Sequence, residues 1–211
     1  VRYTHILFDH DGVLVDTEQH YFAATAQHLA ELGVTLTQAD YLAVQAYGGD
    51  AWAQARANGV SDAKIAATKG RRNETYQTML RSEPIDIPGV EDTLSALGSR
   101  VSMAIVTTAK PEDFELIHAN RNIVPHMAFV LDRSDYDRAK PHPEPYLTAL
   151  QRFDIEPSQA LVVEDSARGL GAAVAAGIDC AVVAHPFTAT QDFSSARYRI
   201  DNLGELLDLV Q

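Results

Sequence analysis

Thr4-His5-Ile6-Leu7-Phe8-Asp9-His10-Asp11-Gly12-Val13-Leu14-Val15-Asp16 decides how the rest of the chain is read. An apolar run ends in two carboxylates one residue apart, and a glycine follows at once. Side chains at i and i+2 of an extended backbone point to one side, so Asp9 and Asp11 can face one small volume at the strand's end. Two carboxylates that close repel each other unless a cation or a shared proton compensates. Gly12 lets the backbone turn away without steric penalty. The stretch therefore calls for partners elsewhere in the chain: a cation site, a phosphate-sized anion site and a lid.

A chain of 211 residues buries one substantial core, with room for a smaller appended unit. Its 46% hydrophobic and 22% charged residues are ordinary for a soluble globular protein. The formal net charge of -12 argues against nucleic-acid binding, which needs clustered Lys and Arg, but leaves room for a locally positive site. Cys180 is the single cysteine and lies in an apolar, strand-like run, so it reads as core. No apolar stretch reaches membrane-spanning length and the N-terminus lacks a secretory pattern, so the expected location is the cytoplasm.

Outward from the first strand (residues 5–8) the pattern divides. Asp16 or Thr17 is expected to cap a helix ending at Gly33, and up to about Leu80 there is almost no strand signal. Thr37, Asp50 and Ser61 read as further N-caps. Pro84-Ile85-Asp86-Ile87-Pro88-Gly89 is a stiff connector back to the core. A helix is expected over 90–97 and a strand over 101–107. A helix over 112–119, a strand over 128–131 and a helix over 145–153 follow. The pattern closes with a strand over 160–163, helix 167–176, strand 180–184 and helix 203–210. This alternation predicts an α/β fold with a Rossmann-like, doubly wound parallel sheet, in which ligands bind at the carboxyl ends of strands. The expected division is a core of residues 1–16 and 84–211 and a helical cap of residues 17–83.

Four strand ends carry chemistry-bearing residues: Asp9-His10-Asp11-Gly12; Thr107-Thr108; Lys140, presented by the proline-rich 141–145 loop; and Glu164-Asp165-Ser166. A hydroxyl beside turn N–H groups holds phosphate oxygens. A calcium loop is excluded, because Val13 and Val15 occupy positions that such a loop fills with ligands. A dinucleotide turn is excluded too, since the first strand ends in Asp-x-Asp-Gly rather than a glycine-rich phosphate turn.

In this order the four fragments resemble the haloacid dehalogenase superfamily, in particular its phosphohydrolases with a helical cap inserted after the first motif. The resemblance rests on Phe8-Asp9-His10-Asp11-Gly12-Val13-Leu14-Val15-Asp16-Thr17-Glu18, Thr107, Lys140-Pro141 and Glu164-Asp165-Ser166. It implies a Mg2+-dependent phosphatase acting on a small phosphorylated metabolite through an aspartyl-phosphate. Asp9 is then the nucleophile and Asp11 the general acid and base, with a pKa above that of Asp9. Mg2+ is held by Asp9, the backbone carbonyl of Asp11, Asp165 and Glu164, the last as ligand or supporting partner. Lys140 steadies Asp9 and the phosphoryl group, while Thr107, Thr108 and nearby amides receive its oxygens. The second acidic residue and the Glu164-Asp165 pair favour phosphate over dehalogenation.

Cap candidates for substrate contact are Gln19, His20, Tyr21, Gly48-Gly49, Trp52, Lys69, Arg71 and Arg72, the last standing where the family's hexose-phosphate mutases carry a phosphate-binding lysine. The mutases' cap histidine falls at Tyr21, with His20 one position earlier and about 100° around the helix. A phosphosugar mutase is thus the alternative enzyme. A non-catalytic metal- or phosphate-binding regulatory protein is the alternative of another class. A monomer or weak dimer, without membrane or nucleic-acid partners, completes the expectation.

Overall fold

The computed structural model describes residues 3–210. Strands β1 (His5–Phe8), β2 (Ser102–Val106), β3 (Phe129–Leu131), β4 (Ala160–Glu164), β5 (Asp179–Val183) and β6 (Tyr198–Ile200) form one sheet, in the order β3-β2-β1-β4-β5-β6. Every pairing is parallel. Strand β1 sits mid-sheet, and the chain's crossover direction reverses there, between β1 and β4. That is the topological switch point at which open α/β sheets bind ligands.

Alternate residues of the central strands feed two cores. Ile6, Phe8, Met103, Ile105, Leu161 and Val163 pack on one face against helices α5 (Val90–Leu97) and α6 (Pro111–His118) and the C-terminal helix, α9 (Leu206–Leu209). Leu7, Ala104, Val106 and Val162 pack on the other, against α7 (Glu144–Phe153) and α8 (Ala167–Ala175). Burial on both faces explains why the strands read as continuous apolar runs. Cys180 is buried in the second core, as its surroundings in the sequence indicated.

Between β1 and β2 lie α1 (Glu18–Ala30), α2 (Gln38–Ala46), α3 (Ala53–Ala57) and α4 (Asp62–Ser82). They have an apolar cluster of their own, Leu29, Val34, Trp52, Ala55 and Ile65. Thr37 and Ser61 cap α2 and α4 by accepting from Asp40 N and Lys64 N at 3.1 and 3.3 Å. The outgoing and returning connectors run side by side: Val15 bridges Asp86 antiparallel, and Asp16 N donates to Ile85 O at 2.8 Å.

Four expectations need correction. Asp50 does not stand at the N-cap of α3: Trp52 does, and Asp50 Oδ1 accepts from Trp52 N at 3.0 Å in the turn before it. Strand β6 was missed: three residues after an irregular stretch give too short a period to recognise. The helix expected over 203–210 is one 3-10 turn followed by the four-residue α9. Thr17 stands at the N-cap of α1 but makes no side-chain cap bond. Its backbone is helical (φ -113°, ψ -19°) rather than extended, so its oxygen is not set to accept from the first turn, and its hydroxyl donates to Asp11.

Candidate active site

Asp9 follows the last residue of β1, and its N–H donates to Val163 O at 2.9 Å, which sets it beside Glu164 at the end of β4. Asp165 is the next residue. One carboxylate oxygen from each of Asp9, Glu164 and Asp165 lies within 4.8 Å of the others, and all three residues are buried. Lys140 reaches this group from the loop before α7. Its Nζ donates to Asp9 Oδ1 at 2.7 Å, Glu164 Oε1 at 2.7 Å and Val106 O at 2.9 Å. Glu164 is fastened further: Tyr146 donates its hydroxyl to Oε1, and Ser166 Oγ donates to Oε2 at 3.1 Å.

Two glycines make the crowding sterically feasible. Gly12 has φ +79°, and a Cβ there would stand 2.1 Å from Asp165 Oδ2. A Cβ on Gly169 would stand 1.8 Å from the Glu164 carboxylate.

Asp11 turns to different partners. It accepts from the Thr17 hydroxyl, and its Oδ2 lies 3.4 Å from His10 Nδ1. His10 is fully buried between Phe114 and His118, with its Nε2 2.9 Å from His118 Nε2. It therefore supports Asp11 from behind, as the opposite facing of a residue between the two aspartates predicts.

The electrostatics reverse the expected order of the two aspartates. Burial pushes the Asp9 carboxyl up to about 7, and Glu164 and Asp11 push the same way against Lys140. At Asp11 burial also favours the neutral form, but His10, Thr17 and Arg168 outweigh it and leave the carboxyl below its usual range. Asp165 is raised well above the usual range, by burial first and then by Asp9 and Glu164. Three buried carboxylates thus share one ammonium, and a group of hard oxygen donors short of positive charge fits a divalent cation. Such an ion beside Asp9 and Asp165 would lower both and leave Asp11 the more basic of the two aspartates.

Thr107 is fully buried and accepts from Ala109 N at 3.0 Å through its hydroxyl, while Thr108 faces the open space. Asp9, Asp11, Thr108, Asp165 and Arg168 line one recess. It adjoins a larger cavity of about 480 Å³ against the helical segment, where Arg72, Lys69, Tyr21 and Trp52 contribute walls. The Arg72 guanidinium lies 4.3 Å from the Tyr21 ring centroid and donates to Thr25 Oγ1 at 2.9 Å. Gly48 does not line the cavity; it abuts Pro141, and a Cβ there would meet Pro141 Cδ at 3.0 Å. Arg71 pairs with Glu31 at the surface, and His20 lines neither space.

The sequence reading missed Arg168, Tyr146 and the pair Glu18–Tyr41, in which the tyrosine hydroxyl donates at 2.6 Å. One signal for Arg168 was legible: a cation in the first turn of a helix opposes the helix dipole and calls for anions nearby.

Comparison with known proteins gives consistent results. A family model described as haloacid dehalogenase-like hydrolase matches residues 6–183. Protein CbbY of Rhodobacter capsulatus is 31% identical over 210 residues, covering 94% of this chain and 92% of that protein. Fructose-1-phosphate phosphatase YqaB of Escherichia coli is 29% identical over 182 residues, covering 84% and 95%. The fold matches that of CbbY from Rhodobacter sphaeroides in complex with phosphate, with a TM-score of 0.78, 24% identity and coverage of 97% and 96%.

Proposed function

The chain belongs to the haloacid dehalogenase-like hydrolases and is a phosphatase of that family; we propose that it hydrolyses a small phosphorylated metabolite through an aspartyl-phosphate on Asp9, with Mg2+ as cofactor. The observation that carries this reading is the buried Asp9–Glu164–Asp165 group around Lys140, opening into a recess that Asp11 and Thr108 share.

In the first half-reaction an Asp9 oxygen forms a bond to phosphorus as the ester P–O bond breaks, and the departing oxygen takes a proton from Asp11. In the second, Asp11 takes a proton from water as its oxygen attacks phosphorus, and the P–O bond to Asp9 breaks to release phosphate. Lys140 keeps Asp9 aimed and ionised. Thr108 and the amides beside it receive phosphoryl oxygens, and the Thr107 hydroxyl fixes the turn that presents them. Glu164, with its oxygens already hydrogen-bonded, secures Lys140 and supports the metal site, whose direct carboxylates are Asp9 and Asp165. When bound, Mg2+ supplies charge neutralisation at the phosphoryl group.

Residues 17–83 serve as a cap over the core of residues 1–16 and 84–211, hinged at the paired connectors near Val15 and Asp86. Closure excludes water, and Arg72 from α4 contacts the substrate. One relative is a fructose-1-phosphate phosphatase, and a structural relative was solved with xylulose-(1,5)bisphosphate, so a phosphorylated sugar is the class to try first. Hydrolysis is favoured over a mutase because Tyr21, rather than a histidine, lines the cavity. A cytoplasmic monomer or weak dimer is the proposed state; no described helix is long and apolar enough to cross a membrane.

The test is a phosphate-release screen over sugar phosphates, phosphoglycolate and nucleotides, with Mg2+ and with chelator. Metal-dependent release, lost in Asp9→Asn with the fold intact, is the expected result. A fully active D9N protein contradicts the assignment.

A further inference from the structure

Lys140 has no donor left for a phosphoryl oxygen. An ammonium carries three N–H bonds, and Asp9 Oδ1, Glu164 Oε1 and Val106 O take them all at 2.7 to 2.9 Å. A lysine in this position can hold the nucleophile, but it must break one of these bonds to reach the group being transferred.

Arg168 is in the opposite condition. Its five N–H donors make one long contact, 3.5 Å from Nη2 to Thr108 Oγ1. Among the described residues no carboxylate lies within ion-pair distance of it. Even so, it lines the same recess as Asp9, Asp11, Thr108 and Asp165. Its surroundings are acidic, with Glu18 contributing most to the negative potential there, and the Glu18 carboxylate is itself held by Tyr41. A half-buried guanidinium with free donors beside the attacking carboxylate suits an anion that arrives with the substrate.

We propose that Arg168 is a catalytic residue, donating to the non-bridging oxygens of the reacting phosphoryl group. The inference rests on the phosphatase reading above. In the transfer step the Asp9 O–P bond forms, the ester P–O bond breaks and the leaving oxygen takes the Asp11 proton. Arg168 exchanges no proton and stabilises the charge spread over the equatorial oxygens. Supplied from α8 of the same chain, it performs the part that an arginine finger performs in nucleotide hydrolysis.

The experiment compares Arg168→Ala and Arg168→Lys with the unaltered protein, Mg2+ present. Two readouts are taken: kcat/KM on p-nitrophenyl phosphate, and calorimetric binding of inorganic phosphate and orthovanadate. R168A is expected to lose on the order of 100- to 1,000-fold in kcat/KM and to bind vanadate correspondingly more weakly. R168K is expected to recover at least about tenfold of that loss, and added guanidinium ion to restore part of the R168A rate.

R168A activity within about threefold of the original overturns the proposal. So does unchanged vanadate and phosphate affinity beside reduced stability, which is the signature of an arginine that merely neutralises the acidic cluster. Lysine no better than alanine overturns it too, and because R168K keeps the charge it remains informative if R168A folds poorly. Anion binding is read without turnover. Absence of phosphate release by the unaltered protein therefore counts against the phosphatase reading alone, while the affinities still decide on Arg168.

Discussion

Lys140 Nζ stands 2.7 Å from Glu164 Oε1, with both side chains almost wholly buried, so each depends on the other for its charge. Removing one member of a buried pair leaves its partner uncompensated, typically at a cost of about 3–5 kcal/mol. Lys140→Met is expected to destabilise the metal-free protein by about that amount, and the double variant K140M/E164Q to recover part of it. Urea unfolding of the two variants measures the difference; equal stabilities would mean that the pair is not coupled as its geometry indicates.

Mg2+ is expected to stabilise the protein more at alkaline than at acid pH. The Asp9 carboxyl is raised to about 7 in the metal-free fold. A carboxyl raised above its unfolded value of about 3.9 contributes stability below that pH, and the contribution is lost as pH rises through about 7. Metal binding needs the ionised ligands, so it offsets this loss where the loss is complete. Calorimetric melting with Mg2+ and with chelator, at about pH 5 and about pH 8, checks the sign. A larger Mg2+ effect at the acid end would contradict it.

Thr17→Val should move the pH profile in a stated direction. The Thr17 hydroxyl is one of the groups that hold the Asp11 carboxyl down. Losing a hydrogen bond to a charged group raises that carboxyl on the order of one pH unit. If Asp11 protonates the leaving oxygen, the alkaline limb of kcat shifts upward by a similar amount. An unmoved limb would separate Asp11 from the proton transfer.

Gly12→Ala tests the turn that follows the two aspartates. Its φ of +79° strains any other residue, and the new Cβ would overlap Asp165 Oδ2. The expected result is a loss of about 1–2 kcal/mol in stability together with a marked rise in the Mg2+ concentration needed for half-activity. Titration of activity with Mg2+ measures the second effect, and a variant that needs no more metal than the original would contradict it.

Much of this site was legible because the sheet imposes order on distant segments. Asp9, Thr107 and Glu164-Asp165 each stand at the end of an apolar strand, and parallel strands deliver their carboxyl ends to one edge, so Asp9, Glu164 and Asp165 had to meet there. The strand cores were readable for the same reason, being buried on both faces. What the sequence did not reveal came from side chains whose partners are set by tertiary approach. Thr17 looked like a cap and is drawn to Asp11. Gly48 looked like a substrate contact and abuts Pro141. The order of the two aspartates' pKa values follows from burial, which raises both, and then from the neighbours each meets: Glu164 pushes Asp9 further up, while His10 and Thr17 hold Asp11 down. Spacing along the chain carries no record of those encounters.

The central claim is covalent attack by Asp9. Acid quenching during turnover of p-nitrophenyl phosphate, followed by borohydride reduction and peptide mass spectrometry, reads it directly, since reduction converts an aspartyl-phosphate to the alcohol. The account predicts reduced residue at position 9 alone, only when substrate and Mg2+ are both present. Modification at another carboxylate, or none during active turnover, would contradict it.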